Sequence, residues 1–163
     1  MKLFILLLFS SALSSLLNAQ DSTATAKPIF GVYAPSADPE EQLKQAISDA
    51  TKDNKRILLD VGGEWCKWCH YLDRFFEENA NVTAFLKEHY VLVKINFSKE
   101  NLNESFLSKF PKVPGYPHFF VLDNDGSFLY SQDTGKLEKG QGHDHDKVLS
   151  FLKQWSKGNA LRK

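Results

Sequence analysis

The sequence predicts an α/β fold with a central mixed sheet of about four to five strands flanked by helices. Two apolar runs of strand length, Ile57 to Val61 and Tyr90 to Phe97, each follow a segment whose apolar residues recur at helical spacing. A third run, His118 to Leu122, leads through Asp123-Asn124-Asp125-Gly126 into a returning run at Ser127 to Ser131, which is a hairpin signal. Strands separated by helices imply parallel pairing, and the hairpin adds an antiparallel portion.

The first helix is expected from residue 39. Asp38 can cap it, Pro39 suits its first position, and Glu41 stands where a capping-box acid belongs. Leu43, Ala46, Ile47 and Ala50 then form one apolar stripe. Gly62-Gly63 ends the first strand, and a second helix opens at Cys66-Lys67-Trp68-Cys69 with Trp68, Leu72, Phe75 and Phe76 near one face. Val82, Phe85, Leu86 and His89 mark a third helix, and Leu102 to Phe110 a fourth. Pro111, Pro114 and Pro117 punctuate the loop before the third strand. After a loop with Gly135, Gly140 and Gly142, a closing helix carries Val148, Leu149, Leu152 and Trp155. Ile29 to Tyr33 has the composition of a short edge strand.

The 163 residues suit one domain with short additions. The 13 Phe, 5 Tyr and 3 Trp are enough for a substantial core. Lys2, the apolar run Leu3 to Phe9 and the small residues before Gln20 read as a secretory signal over residues 1–19, cleaved after Ala19. Residues 20–37 read as a linker or N-terminal arm, 38–157 as the folded domain and 158–163 as a tail. Lys+Arg and Asp+Glu balance at 20 each, and loss of Lys2 with the signal leaves a net charge of −1. That balance offers no field for nucleic acid, and no stable membrane insertion is expected after cleavage. Asn81, Asn96 and Asn103 begin glycosylation triplets that matter only in a eukaryotic exporting cell. With no retention signal at the C-terminus, a bacterial periplasm is the expected location.

Both cysteines of the chain fall in Trp65-Cys66-Lys67-Trp68-Cys69-His70. A disulfide this short closes too small a loop to stabilise the fold much, so chemistry explains the pair better than stapling does. At a strand-to-helix junction the first cysteine meets the unpaired N–H groups of the helix N-terminus, which favour its thiolate. Cys66 is therefore the expected nucleophile and Cys69 the resolving thiol. Lys67 adds positive charge, and Trp65 and Trp68 supply apolar surface for a client. Two other readings use the same residues. Cys66-Cys69-His70 fits a c-type haem attachment sequence, with His89, His118, His143 or His145 as distal ligand. Cys66, Cys69, His143 and His145 provide the donor types of a zinc site.

Over about residues 38 to 157 the sequence resembles the thioredoxin superfamily. The resemblance rests on Leu59 to Cys69, on Val93-Lys94-Ile95-Asn96 and on Gly115-Tyr116-Pro117, in the family's order. The Trp-Cys-Lys-Trp-Cys-His stretch, with Phe75-Phe76 and Val82 to Leu86, is similar to the exported branch that includes the C-terminal domain of the periplasmic membrane electron-transfer reductase. The resemblance implies a thiol–disulfide oxidoreductase with catalytic Cys66, Cys69, Asp60 and Pro117. It implies a buried Asp60 beneath the resolving cysteine, a buried Lys94, and a cis Pro117 whose neighbour Tyr116 pairs with an extended client. Trp65, Lys67 and Trp68 complete the expected client surface. Lys67-Trp68 and His118 depart from the family's usual residues. The absence of a His between the cysteines favours the reducing direction. The implied partners are exported proteins with disulfides or dithiols, and a redox partner that recharges the pair. No cofactor is required. A thioredoxin fold that only holds clients, with an inert disulfide, is the alternative from another class.

Overall fold

The computed structural model describes residues 30–158. The expected signal, the start of the arm and all of the tail past residue 158 lie outside the described residues.

Helix α1 (Pro39–Asp53) begins as expected: the Asp38 carboxylate accepts the Glu40 N–H at 2.9 Å. Glu41 does not close a capping box; its carboxylate pairs with Lys44 at 3.3 Å. Strand β1 (Arg56–Gly62) is buried along its whole length at the centre of the sheet. It pairs in parallel with β2 (Tyr90–Asn96) and antiparallel with β3 (His118–Leu122), which pairs with β4 (Phe128–Asp133). Among the described residues the sheet therefore has four strands in the order β2-β1-β3-β4. A strand covered on both faces reads as a continuous apolar run, as Ile57-Leu58-Leu59 does.

Alternation along the strands splits the core in two. Leu58, Phe119 and Val121 face α2 (Lys67–Glu78), α3 (Ala80–His89) and α5 (His145–Trp155). Ile57, Leu59, Val61, Ile95, Phe120 and Leu122 face α1 and Phe106. Each such side chain, fully buried, stabilises the fold by roughly 1.5–3 kcal/mol. Asp60 shares the parity of Leu58, so it must point at α2.

Four local expectations differ from the fold. Phe30 to Tyr33 forms no ladder. Phe30 packs edge-on against Phe76 at 5.6 Å, and the Tyr33 N–H donates to Glu64 Oε1 at 2.8 Å, so these groups are spent on docking the arm. The helix expected over Leu102 to Phe110 is a single turn, α4 (Glu104–Leu107). Asn103 stands before it in the left-handed region at φ 48°, its amide donating to Asn96 O at 2.7 Å, which stops the helix from starting earlier. Strand β4 runs past Ser131 to Asp133, with a register shift at Val121/Leu122. The glycine loop is ordered: a short 3₁₀ turn (Thr134–Leu137) leads into a small hairpin, β5 (Glu138–Lys139) with β6 (Gly142–His143), turned at Gly140 with φ 62°. Asn96 is buried and its amide bonds to Ser98 and Asn101, so its triplet is closed to a glycan in the folded chain.

Candidate active site

The site forms where β1 ends and α2 begins. Cys66 is the N-cap of α2, in extended conformation, and its sulfur accepts the Cys69 N–H at 3.2 Å. An anionic sulfur there meets the free N–H groups and the positive end of the helix. Cys66 and Cys69 are joined as a disulfide, and both are buried. Gly62 lies directly below: a Cβ there would stand 2.6 Å from Cys69 Sγ and 3.1 Å from the Tyr33 ring.

Asp60, two residues back on the same face of β1, is 1% exposed. Burial pushes its carboxyl up to about 7, against the pull of Lys94 and the Tyr33 hydroxyl, which favour the anion. Lys94 is its register partner on β2, yet the ammonium is bonded to both oxygens of Asp73 at 2.5 and 2.6 Å. Asp73 reaches it from α2, one helical turn beyond Cys69. Lys94 also lies 4.3 Å from the centroid of the Tyr33 ring. A buried carboxyl held near neutrality is chemically able to take up and return a proton, and its neighbour Tyr33 packs against Cys69.

Trp65 and Tyr116 flank one side of the disulfide, edge to face at 5.8 Å. Trp65 is 58% exposed and its indole N–H donates to Phe97 O at 2.6 Å, which fixes the ring at the rim. Beside it a cleft of roughly 520 Å³ runs along Phe97 to Glu100 and Leu102. The Tyr116–Pro117 bond is cis, and Pro117 is buried. Trp68 packs on the other side against Tyr71 and His143 at 5.4 and 6.2 Å. Lys67 is exposed and its ammonium lies over the Tyr71 ring, 5.2 Å from the centroid. Cys66, Cys69, Trp68 and Tyr116 thus share one cluster, with Trp65 against Tyr116 and Asp60 linked to it through Tyr33, while the charge of Lys67 is directed along α2.

The histidines do other work. His70 bonds to Glu64 O at 2.8 Å. His118 is on the sheet face opposite Asp60, stacked near Phe120 and bonded to Ser131 Oγ at 2.8 Å; burial lowers its pKa to about 4. His143 packs between Trp68 and Phe75, while His145 bonds to Asn81 and Asp146. Among the described residues, no group of three or more His, Cys, Asp or Glu is gathered to hold a metal. The haem reading fails on the sulfurs: Cys69 has no exposed surface, wedged over Gly62 and Tyr33 where no macrocycle can reach.

Sequence reasoning missed Tyr33 and Asp73. Asp73 had a signal in its four-residue spacing from Cys69, which puts both on one helix face. Tyr33 had none, because it comes from a Ser/Pro-rich arm with no periodicity.

Residues 38–124 match the family model described as Thioredoxin-like. The chain is 25% identical over 141 residues to the thiol:disulfide interchange protein DsbD of Pseudomonas sp. (strain JR1 / K1), covering 85% of this chain and 22% of that protein. The first curated relatives it matches are all far longer, the chain spanning 7% to 22% of their length. Among solved structures, a disulphide isomerase from Xylella fastidiosa Temecula1 superposes with a TM-score of 0.64 at 26% identity, over 74% of this chain and 92% of that one. The DsbD C-terminal domain of Neisseria meningitidis in its oxidised form shares the fold with a TM-score of 0.55 at 18% identity, over 75% of this chain and 99% of that one. With a family match over more than half of its length and a Cys-x-x-Cys pair seated at the head of α2, the chain belongs to the Thioredoxin-like family and is similar to DsbD.

Proposed function

We propose that the chain is an exported thiol–disulfide oxidoreductase that reduces disulfides in exported proteins, in a bacterial periplasm. The observation that carries the reading is Cys66 at the N-terminus of α2, with Asp60 buried two residues before Gly62, the strand residue that Cys69 Sγ overlies. In the dithiol state the Cys66 thiolate attacks a client disulfide; a Cys66–client disulfide forms and one client thiolate leaves. Asp60 takes the proton of Cys69, whose thiolate attacks the Cys66 sulfur. The Cys66–Cys69 disulfide forms, the second client thiol is released, and two electrons have passed to the client. A dithiol partner must then return two electrons to the pair. Trp65, Tyr116, Trp68 and the backbone beside Pro117 contact the client, with Lys67 at the rim.

The direction follows from what stabilises the dithiol. Strong oxidants of this type owe their potential to a stabilised reduced form. Here Trp68 is apolar and the Lys67 ammonium rests on Tyr71, so the dipeptide between the cysteines adds little to the Cys66 thiolate. Export is supported by Lys2 and the apolar run that follows it.

Equilibration of the full chain in glutathione buffers tests the reading. A potential nearer about −270 mV than about −120 mV is expected. Cys69→Ser should accumulate a mixed disulfide with a disulfide-containing client probe, and Cys66→Ser should form none. A potential at the oxidising end reverses the direction. A pair that does not exchange refutes the enzyme and leaves a client-holding module.

A further inference from the structure

We propose that Tyr33 is a positioning residue of the active site: delivered by the segment before α1, it seals Asp60 and the Cys69 sulfur from water and lends its hydroxyl to the Asp60 carboxylate. The inference rests on the oxidoreductase reading above. Tyr33 is 1% exposed although it lies outside every helix and strand. It forms one buried cluster with Cys66 and Cys69, against which Trp68 and Tyr116 pack. The clearance above Gly62 shows the arrangement: one absent methyl group would touch both Cys69 Sγ and the Tyr33 ring, so the ring and the sulfur share the floor of the site. The arm is held there by the Tyr33 N–H bond to Glu64, on the loop that leads to Cys66, and by the contact of the ring with Lys94.

The polar ends are equally telling. Tyr33 Oη and Asp60 Oδ1 are both buried without a hydrogen-bond partner of normal geometry, yet lie near enough for each to bear on the other's protonation. Buried polar atoms without partners are uncommon, and each calls for a physical account. The groups facing Asp60 are Lys94 from β2, Asp73 from α2 and Tyr33 from the arm; β3 presents apolar Phe119, and Glu64 bears on Tyr33. Tyr33 therefore acts on Asp60 in two opposed ways. Its ring excludes water, which raises the carboxyl pKa, and its hydroxyl stabilises the anion, which lowers it.

Two substitutions separate these effects. In the oxidised full chain, the Asp60 carboxyl is titrated by carbon NMR, which needs no turnover. Tyr33→Phe keeps the seal and removes the hydroxyl, so the Asp60 titration should move up. Tyr33→Ala opens the site, so it should move down. Each shift is expected to be about one pH unit, the ordinary spread of carboxyl values between protein environments. The pH profile for release of a client from Cys66 should follow in the same directions. Titrations that do not move, or that move the same way in both variants, overturn the proposal. Where Tyr33→Ala does not fold, absence of the upward shift in Tyr33→Phe overturns it alone. Failure of the wild-type chain to exchange disulfides would sink the oxidoreductase reading, while the titration still reports on the seal.

Discussion

In the proposed mechanism the resolving step turns on a carboxyl that the sheet holds out of water. Asp60 titrates near neutrality because burial outweighs Lys94, whose ammonium is drawn aside by Asp73. Asp60→Asn removes the acceptor and leaves the Cys66 end of α2 as it was. Release of a client from the Cys66 mixed disulfide should then slow roughly 100-fold at pH 7, the scale of a lost general base, while the first attack keeps its rate. Rapid-mixing kinetics with a fluorescent disulfide peptide separates the two steps; equal slowing of both would remove Asp60 from the resolving step. Sequence pattern alone brings the reader to Cys66 and Cys69, because two cysteines three apart at a helix start have few other uses. Asp60 becomes legible through the resemblance, and only then does its parity with Leu58 say which way it points. Tyr33 is illegible in sequence, since what buries it is the tertiary path of an arm without periodicity.

The strand-to-helix turn from β1 to α2 is built around clearance. The lack of a side chain at Gly62 lets Cys69 Sγ and Tyr33 approach the strand, so Gly62→Ala forces a methyl group to 2.6 Å from the sulfur. Overpacking of this kind costs about 1–3 kcal/mol. The cost falls hardest on the disulfide form, in which the sulfur is tied to Cys66; a free Cys69 thiol can turn away. Gly62→Ala should therefore lower the urea midpoint more in the oxidised than in the reduced chain, and shift the glutathione equilibrium toward the dithiol. Equal losses in both states would place the sulfur away from Gly62. Elements were readable wherever burial imposes a period: β1, β3, α1, α2, α3 and α5 stand within a residue or two of their expected places. The exceptions have local polar causes. Asn103 in the left-handed region cut α4 to one turn, and the Glu64 bond drew Phe30 to Tyr33 away from any sheet edge. The β5–β6 hairpin had too few residues to show alternation.

The protonation balance of the whole chain sets its stability profile. His118 is buried and His143 half-buried, and burial of their rings lowers both to about 4 from 6.5, so the unfolded chain takes up protons there that the folded chain refuses. Asp60 does the reverse: raised from 3.8 to about 7, it keeps a proton in the folded chain that the unfolded chain gives up. Stability from the histidines is present above 6.5 and is lost as pH falls toward about 4. Stability from Asp60 is complete below 3.8 and is lost as pH rises through about 7. Between these limits two histidines oppose one aspartate, so stability should climb with pH to a maximum near 6.5 and then decline slightly. Thermal melts of the oxidised chain across pH 4 to 8 check this profile. In Asp60→Asn the decline disappears, and the variant should gain on the wild type by on the order of 3–4 kcal/mol from pH 4 to 8. The cost of burying an amide is the same at every pH and cancels from that difference. His143→Phe should flatten the acid side instead. If Asp60→Asn and wild type keep a constant separation over the whole range, Asp60 is ionised throughout in the folded chain, and the raised basicity invoked for deprotonating Cys69 is absent.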